Sequence, residues 1–491
     1  MHVLLIYPEF PDTFWSFKHA IKFVRKKAAY PPLGLLTVAA LLPETWSKRL
    51  VDLNVSKLTD KDLEGVDYVF IGAMNVQRES TRRVISRIKE AGIRIVAGGP
   101  LFTSEYNDFE EVDHFVLNEA ELTLPLFLAD LQRGSAGRIY KTSEYANVEK
   151  TPAPLWELID TRQYASMSIQ FSRGCPFHCD FCNVTALFGS RLRIKTADQL
   201  IAEMDGLYKT GWRGQIFFVD DNFISNKKYL KTKLLPAIIE WRKNHRGASF
   251  NTEASIDLAD DEELMKLMVD AGFDAVFIGI ETPNPQSLNE CNKKQNKNRD
   301  LVQTIKSIQR AGLQVQGGFI VGFDSDKRSI FQRQIDFIQE SGIVTAMVGL
   351  LQAPAGTKLY ERMKKEGRII GHMSGDTDGT TNIIPKMGLE ALRGGYRDIV
   401  RYIYSPKNYY RRVKNFLRQY DTPKLIVHMD FQRFMALFRA SFLIGILGRE
   451  RFRYWELLLW TLVRRPRFTP LAITLAIYGY HFRKFSEVLA P

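Results

Sequence analysis

Three of the four cysteines of this 491-residue chain fall in one short stretch, at Cys175, Cys179 and Cys182. Their C-x3-C-x2-C spacing lets a single tight loop turn three thiolates toward one point, which is the pattern of a metal site. Thiolates at this density suit zinc or an iron–sulfur cluster. A closed zinc site needs a fourth protein ligand. His178 is at hand, but it lies between two of the cysteines, where the backbone is already turning around the metal. A cubane cluster can leave one iron open to another ligand, and three cysteines suit that arrangement. Cys291 stands alone in a polar stretch and is expected to be an incidental thiol, because redox-active cysteines need a prepared environment.

The elements that must position this loop can be read on either side of it. Ser166–Phe171 is an apolar run that would deliver the loop from its C-terminal end, where parallel barrels place their chemistry. Further runs at Gln215–Val219, Ala248–Thr252, Ala275–Ile280, Val315–Ile320 and Ala346–Leu351 alternate with helical stretches. Six strands imply a partial (β/α)6 barrel, since no further unit is supplied before about residue 360. At the ends of these strands stand Asp220 and Asp221, Glu253, Glu281 and Gly322, with Gly318 inside the fifth. Taken singly, each carboxylate could be a helix cap or a surface ion pair. Their succession at strand ends favours a shared site.

Residues 1 to 145 repeat a β-α pattern, with strands expected at Val3–Tyr7, Arg49–Leu53, Tyr68–Ala73, Arg94–Ala97 and His114–Leu117. Such repeats build a doubly wound parallel sheet whose ligand sits beyond the C-terminal strand ends. Those ends hold Tyr7 and Pro8, Asn54, Gly72, Gly98, Gly99 and Glu119. Glycines there let a large ligand approach the backbone, although ordinary turns use the same residues. Residues 146–165, with Pro152 and Pro154, read as a linker, 166–362 as the barrel, and 363–491 as a basic, mainly helical domain.

The net charge of +13 is uneven: residues 401–491 hold 17 Lys+Arg against 5 Asp+Glu. The apolar runs Phe434–Gly448, Tyr454–Val463 and Phe468–Tyr480 in this region are interrupted or flanked by arginines. Each falls short of the ~18 uncharged residues of a spanning helix. Short apolar helices with Arg and aromatic flanks fit an anionic membrane interface, and a helical cap on the barrel would read similarly. Nucleic acid is not expected, because no recognition motif accompanies the charge. The first strand is too short for a signal sequence, and the cysteines give no disulfide framework. A cytoplasmic protein is expected, peripheral at most on the inner face of the membrane.

The cysteine loop, with aromatic Phe181 just before the third cysteine, resembles the cluster loop of the radical S-adenosylmethionine (SAM) superfamily. The resemblance implies a [4Fe–4S] cluster held by Cys175, Cys179 and Cys182, whose free iron chelates SAM. It further implies that Phe181, Asp220 or Asp221, Glu253, Glu281, Gly318 and Gly322 surround SAM, a carboxylate taking its amino group. Tyr30 to Leu36, which includes Leu33 and Gly34, and Val96 to Pro100 resemble elements of the cobalamin-binding domain that precedes the barrel in one radical SAM subclass. By that likeness Tyr7, Pro8, Leu33, Gly34, Asn54, Gly72, Gly98, Gly99 and Glu119 would contact cobalamin. Two departures stand out. Asn54 occupies the place where many such domains offer a histidine to cobalt, which implies binding without protein histidine ligation. Asn118 replaces the usual glycine of the acidic turn.

As a whole the chain resembles cobalamin-dependent radical SAM methyltransferases, most closely the subgroup that contains hopanoid C-2 methylases. The resemblance implies hydrogen-atom abstraction by a 5′-deoxyadenosyl radical and methyl delivery from methylcobalamin to an unactivated carbon. It implies a small-molecule or lipid substrate and a reductase or ferredoxin-type electron donor. A cobalamin-dependent cyclase or rearrangement enzyme, and a non-catalytic iron–sulfur or corrinoid carrier, are the alternatives.

Overall fold

The computed structural model describes residues 1–421 and 431–489; residues 422–430 and 490–491 of the expected C-terminal domain lie outside the described residues. The N-terminal sheet comprises β1 (His2–Tyr7), β2 (Ser47–Asp52), β3 (Tyr68–Gly72), β4 (Arg94–Gly98), β5 (His114–Val116) and β6 (Ile139–Tyr140). All pairs are parallel, in the order β2-β1-β3-β4-β5-β6. Parallel strands covered by helices on both faces read as unbroken apolar runs, as the buried Val3–Ile6 and Tyr68–Ile71 do. The strand order reverses between β1 and β3, and such a switch point opens a crevice beyond the carboxyl ends. The short edge strand β6 was not legible in the sequence.

The second sheet contains β7 (Met167–Ile169), β10 (Gln215–Phe218), β11 (Ser249–Glu253), β12 (Phe273–Glu281), β13 (Gln314–Val321) and β14 (Ala346–Leu350). Its six parallel strands run in sequence order, as a partial barrel requires. The antiparallel pair β8 (Ser172–Arg173) and β9 (Arg193–Ile194) closes the base of the cysteine loop. This pair explains why β7 ends earlier than the apolar run suggests. The backbone N–H groups of Phe171 and Ser172 donate to the Asp220 carboxylate instead of continuing the ladder.

The C-terminal helices Leu389–Ile403, Pro406–Gln419, Phe431–Leu443, Arg451–Arg464 and Thr469–Leu489 pack against the barrel and one another. They grip the chain between β1 and Leu33. Phe14 stacks on Phe482 with ring centroids 4.3 Å apart, His481 Nε2 lies 3.0 Å from the Phe14 carbonyl, and Arg439 donates to the Phe23 carbonyl. Trp15, in the same segment, meets Phe277 of β12 edge-on at 5.2 Å. A stacked buried ring pair contributes about 0.5–1.5 kcal/mol beyond its area. The N-terminal domain, barrel and C-terminal helices therefore meet along this segment. Among the described residues no helix is long and apolar enough to cross a membrane.

Candidate functional site

The cysteine loop is tied down by the segments that follow β12 and β14. Asp180 N–H donates to the Cys291 carbonyl (3.1 Å), Asn292 Nδ2 to the His178 carbonyl (2.8 Å) and Leu359 N–H to the Asp180 carbonyl (2.9 Å). All three candidate ligands are free thiols, with Cys179 buried and His178 exposed. Burial pushes each thiol above its ordinary value, Cys182 to about 12, and the nearby Lys293 ammonium only partly offsets this. Thiols so buried stay protonated until a metal displaces the proton, so loading this site releases protons. Phe181 packs edge-on against Phe323, in an apolar cluster with Cys291. Cys291 is buried there, its thiol donating weakly to the Leu288 carbonyl at 3.7 Å.

The two adjacent aspartates divide their labour. Asp220 is fully enclosed and accepts from Phe171 N–H, Ser172 N–H and Ser172 Oγ, so its carboxylate braces the entry to the cysteine loop rather than facing a ligand. Asp221 accepts from Gly174 N–H at 2.9 Å and lines the central cavity. Glu253 lines the same cavity. Its pKa is pushed up to about 8 by burial, with Asp221, Asp220 and Glu281 adding repulsion and Lys293 opposing them. Burial likewise raises Asp221 to about 6 and Asp220 to about 7. Carboxyls crowded in this way gain from a cation placed among them.

Glu281 has a left-handed backbone (φ 64°), at a register shift in β12. This kink turns its carboxylate onto Lys293 Nζ (2.7 Å) beside the cysteine loop, not into the cavity. Gly318 is needed for close packing, since a Cβ there would come within 2.8 Å of the Phe277 ring. Gly322 (φ 108°) forms a turn in which its N–H donates to the buried Asp326. Glu281, Gly318 and Gly322 thus shape the barrel mouth without lining the cavity.

A cavity of about 870 Å³ lies between the carboxyl ends of the two sheets. On the N-terminal side it is lined by Tyr7, Leu33, Gly34, Asn54, Gly72, Gly98 and Gly99, and no histidine lines it among the described residues. Three of these glycines leave no room for a side chain: an added Cβ would approach Val116 O at Gly98 (2.6 Å), Ala73 O at Gly99 (2.9 Å) and Leu35 at Gly72 (2.9 Å). At Gly34 it would meet nothing within 4 Å, so that backbone faces open space. Asn54 is committed to the fold. Its Oδ1 accepts from Phe10 N–H (2.8 Å), while Nδ2 donates to Asp52 (2.6 Å) and to the Pro8 carbonyl (3.2 Å). Pro8 is held behind the wall by this bond and another from Gln77.

Glu119 lines the cavity as well, but its carboxylate is engaged within the protein. Its carboxylate accepts from Arg193 Nη1 (2.6 Å) and Ala146 N–H (2.5 Å), with Arg173 3.5 Å away. Glu121 accepts from Arg173 (2.7 Å) and Thr151 (2.8 Å). Burial alone would raise the Glu121 pKa, but the Arg173 guanidinium outweighs it and holds it below the usual range. The acidic turn therefore locks the N-terminal domain onto the two arginines of β8 and β9 that frame the cysteine loop. Asn118, with φ 63°, supplies the left-handed turn that glycine would otherwise provide, which asparagine tolerates well.

Sequence reading missed this lock, although Arg173 and Arg193 flank the cysteine stretch and the acidic pair has the opposite charge. It also missed Lys293, one of several lysines in a polar stretch after Cys291 and so without a signal of its own, and the buried Lys195–Glu203 pair (2.5 Å) on the cavity wall. The tip of the loop Gly371–Asn382 reaches the cavity. Gln352 Nε2 donates to Ser374, Asp376 and Thr380 within it, which places Gly375 and Asp376 on the lining.

Residues 169–338 match the radical SAM superfamily and residues 357–490 a domain of unknown function, DUF4070. The chain is 39% identical to an uncharacterized methyltransferase, sll1242, of Synechocystis sp., over 100% of this chain and 92% of that one. It is 30% identical to the hopanoid C-2 methylase of Rhodopseudomonas palustris, over 94% of this chain and 89% of that one. Among solved structures it resembles the cobalamin-dependent SAM radical enzyme OxsB, with TM-score 0.62 and 14% identity over 99% of this chain and 79% of that one.

Proposed function

The chain belongs to the radical SAM methyltransferases, and on that premise we propose that it methylates an unactivated carbon of a lipid, with a [4Fe–4S] cluster, SAM and cobalamin as cofactors. The observation that carries this reading is the cavity shared by the carboxyl ends of both sheets, with glycines on one wall and Asp221 and Glu253 on the other. When bound, the cluster and SAM supply a 5′-deoxyadenosyl radical that abstracts hydrogen, and cobalamin supplies the methyl group.

The residues do the positioning. Cys175, Cys179 and Cys182 hold the cluster on a loop braced by Asp220. Asp221 and Glu253 receive the SAM ammonium by charge-assisted hydrogen bonds. Gly72, Gly98 and Gly99, where no side chain fits, and Gly34, whose backbone faces open space, would form the wall against a corrin. With Asn54 bonded into the fold and no lining histidine among the described residues, this wall offers cobalt no imidazole. Glu119 and Glu121, through Arg193 and Arg173, fix the distance between the walls. The Gly371–Asn382 loop, whose tip reaches the cavity, helps keep water from reactive intermediates. A ferredoxin or reductase type donor supplies electrons.

A lipid is favoured by the apolar part of the lining, where Trp15, Ile21, Phe217 and Phe277 offer no charge. Its likeness to a hopanoid C-2 methylase supports a polycyclic lipid. The test is anaerobic incubation of the reconstituted protein with reductant, cobalamin, a bacterial lipid extract and methyl-labelled SAM. The expected result is 5′-deoxyadenosine together with label in one lipid product. Deoxyadenosine without transferred label would favour rearrangement, and label in a non-lipid product would overturn the substrate class.

A further inference from the structure

The C-terminal helices expose an apolar face that the fold leaves uncovered. Along helix Arg451–Arg464, Phe452, Leu459 and Val463 are exposed, Phe452 and Val463 by 75% and 78%. Their spacing of three to four residues, with Trp455 between, puts them on one side of the helix. The opposite side, with Tyr454, Leu457, Leu458 and Thr461, is buried. Phe438, Phe442 and Leu447 form a second exposed row on and just after helix Phe431–Leu443. The two rows are continuous, because Trp455 Nε1 donates to the Gly445 carbonyl at 2.9 Å. Apolar side chains concentrated in this way mark a binding surface, whereas singly scattered ones do not.

The charge beside the face is positive. Arg449, Arg451, Arg453 and Arg464 are exposed around it, with Arg451 over the Phe452 ring at 5.0 Å. Glu450 faces inward to Arg483, which leaves Glu456 as the acidic side chain exposed on helix Arg451–Arg464. A helix that carries part of the face also touches the segment that lines the cavity. Helix Phe431–Leu443 packs on Lys22–Val24, and Arg439 bonds the Phe23 carbonyl, while Lys18, Ile21 and Lys27 of that same segment line the cavity.

We propose that this face docks on an anionic lipid bilayer, with Phe438, Phe442, Phe452, Leu459 and Val463 entering the interface and the arginines meeting lipid phosphates. An apolar stripe with an arginine rim and a Trp at its centre suits a helix lying in the interface plane. It also brings the cavity close to a membrane-held substrate. In this respect the inference deepens the lipid reading, but docking is measured without turnover, so each can fail separately.

The test is flotation of the full-length, cluster-loaded protein with vesicles of phosphatidylcholine, with and without phosphatidylglycerol. The wild type should bind the anionic vesicles and lose most of that binding in high salt. Phe452→Asp with Leu459→Asp should weaken binding roughly tenfold or more. Arg451→Glu with Arg464→Glu should weaken binding to anionic vesicles alone. Leu126→Asp, an exposed apolar site on the N-terminal domain, should change nothing. Cluster absorbance and circular dichroism show that each variant is folded. Failure of the wild type to float, equal floating of the Phe452/Leu459 variant, or a dimer in sedimentation that those substitutions dissolve would each overturn the proposal, the last by giving the face to a second copy of the chain.

Discussion

The two walls of the cavity are built on opposite principles. The N-terminal wall presents glycine backbone and apolar side chains, and polar groups on it such as Asn54, Lys27 and Glu119 are bonded within the protein. The barrel wall presents Asp221 and Glu253 with raised pKa values, beside the Lys195–Glu203 pair. A broad, nearly uncharged ligand face needs room and backbone contact. A small cationic one needs carboxylates held out of water. On the proposed reading, this contrast would let one cavity accept two cofactors without either competing for the other's contacts.

The largest expected effect is at the cysteine loop. Replacing Cys175, Cys179 or Cys182 by Ala should abolish the cluster's visible absorbance and lower 5′-deoxyadenosine to background, while cobalamin binding persists. The glycine wall should break the other way. Gly98→Leu would drive a side chain into the Val116 carbonyl, costing about 1–3 kcal/mol of stability from overpacking. It should also remove bound cobalamin from the spectrum while leaving the cluster intact.

On the charged wall, Glu253→Gln should weaken SAM binding about 10- to 100-fold by calorimetry, the worth of one or two charge-assisted hydrogen bonds. The pH dependence has a defined sign. Glu253, Asp221 and Asp220 hold protons more tightly folded than unfolded, so without ligand they reduce stability progressively as pH rises from about 4 toward 8. SAM affinity should rise over about pH 6–8 as Glu253 and Asp221 ionise, with Asp220, Glu281, Lys293 and Tyr30 as the other charged or titratable neighbours of Glu253. Glu253→Gln should flatten that rise. Glu119→Gln, which weakens the lock between the walls, should lower stability by about 2 kcal/mol, since it leaves Arg193 poorly compensated. Thermal unfolding would read this change. The smallest effect belongs to Cys291→Ala, which should cost about 1 kcal/mol as a packing loss and leave iron content unchanged.

The fold was legible because both sheets are parallel and buried, so their strands appear as apolar runs separated by helical stretches. What escaped were elements too short to show a period: β6, and the β8–β9 pair at the base of the cysteine loop. The cysteines were legible as a local motif. The carboxylates were legible only as positions at strand ends, because a side chain's direction depends on tertiary contacts. Asp220 is captured by Ser172, Glu281 by a left-handed kink and Lys293, and Glu119 by Arg193 across a domain boundary. For Asp220 and Glu119 the partner is 48 and 74 residues away in sequence, and for Glu281 the capture depends on a backbone kink that side-chain pattern does not show.

The most direct test of the central claim, that both cofactors share this cavity through separate walls, is a paired measurement of bound cobalamin, cluster and labelled methyl transfer in Gly98→Leu and Cys179→Ala. Gly98→Leu should retain the cluster and still form 5′-deoxyadenosine but bind no cobalamin and transfer no methyl group. Cys179→Ala should retain cobalamin and form neither product. Methyl transfer by Gly98→Leu at the wild-type rate would contradict the account.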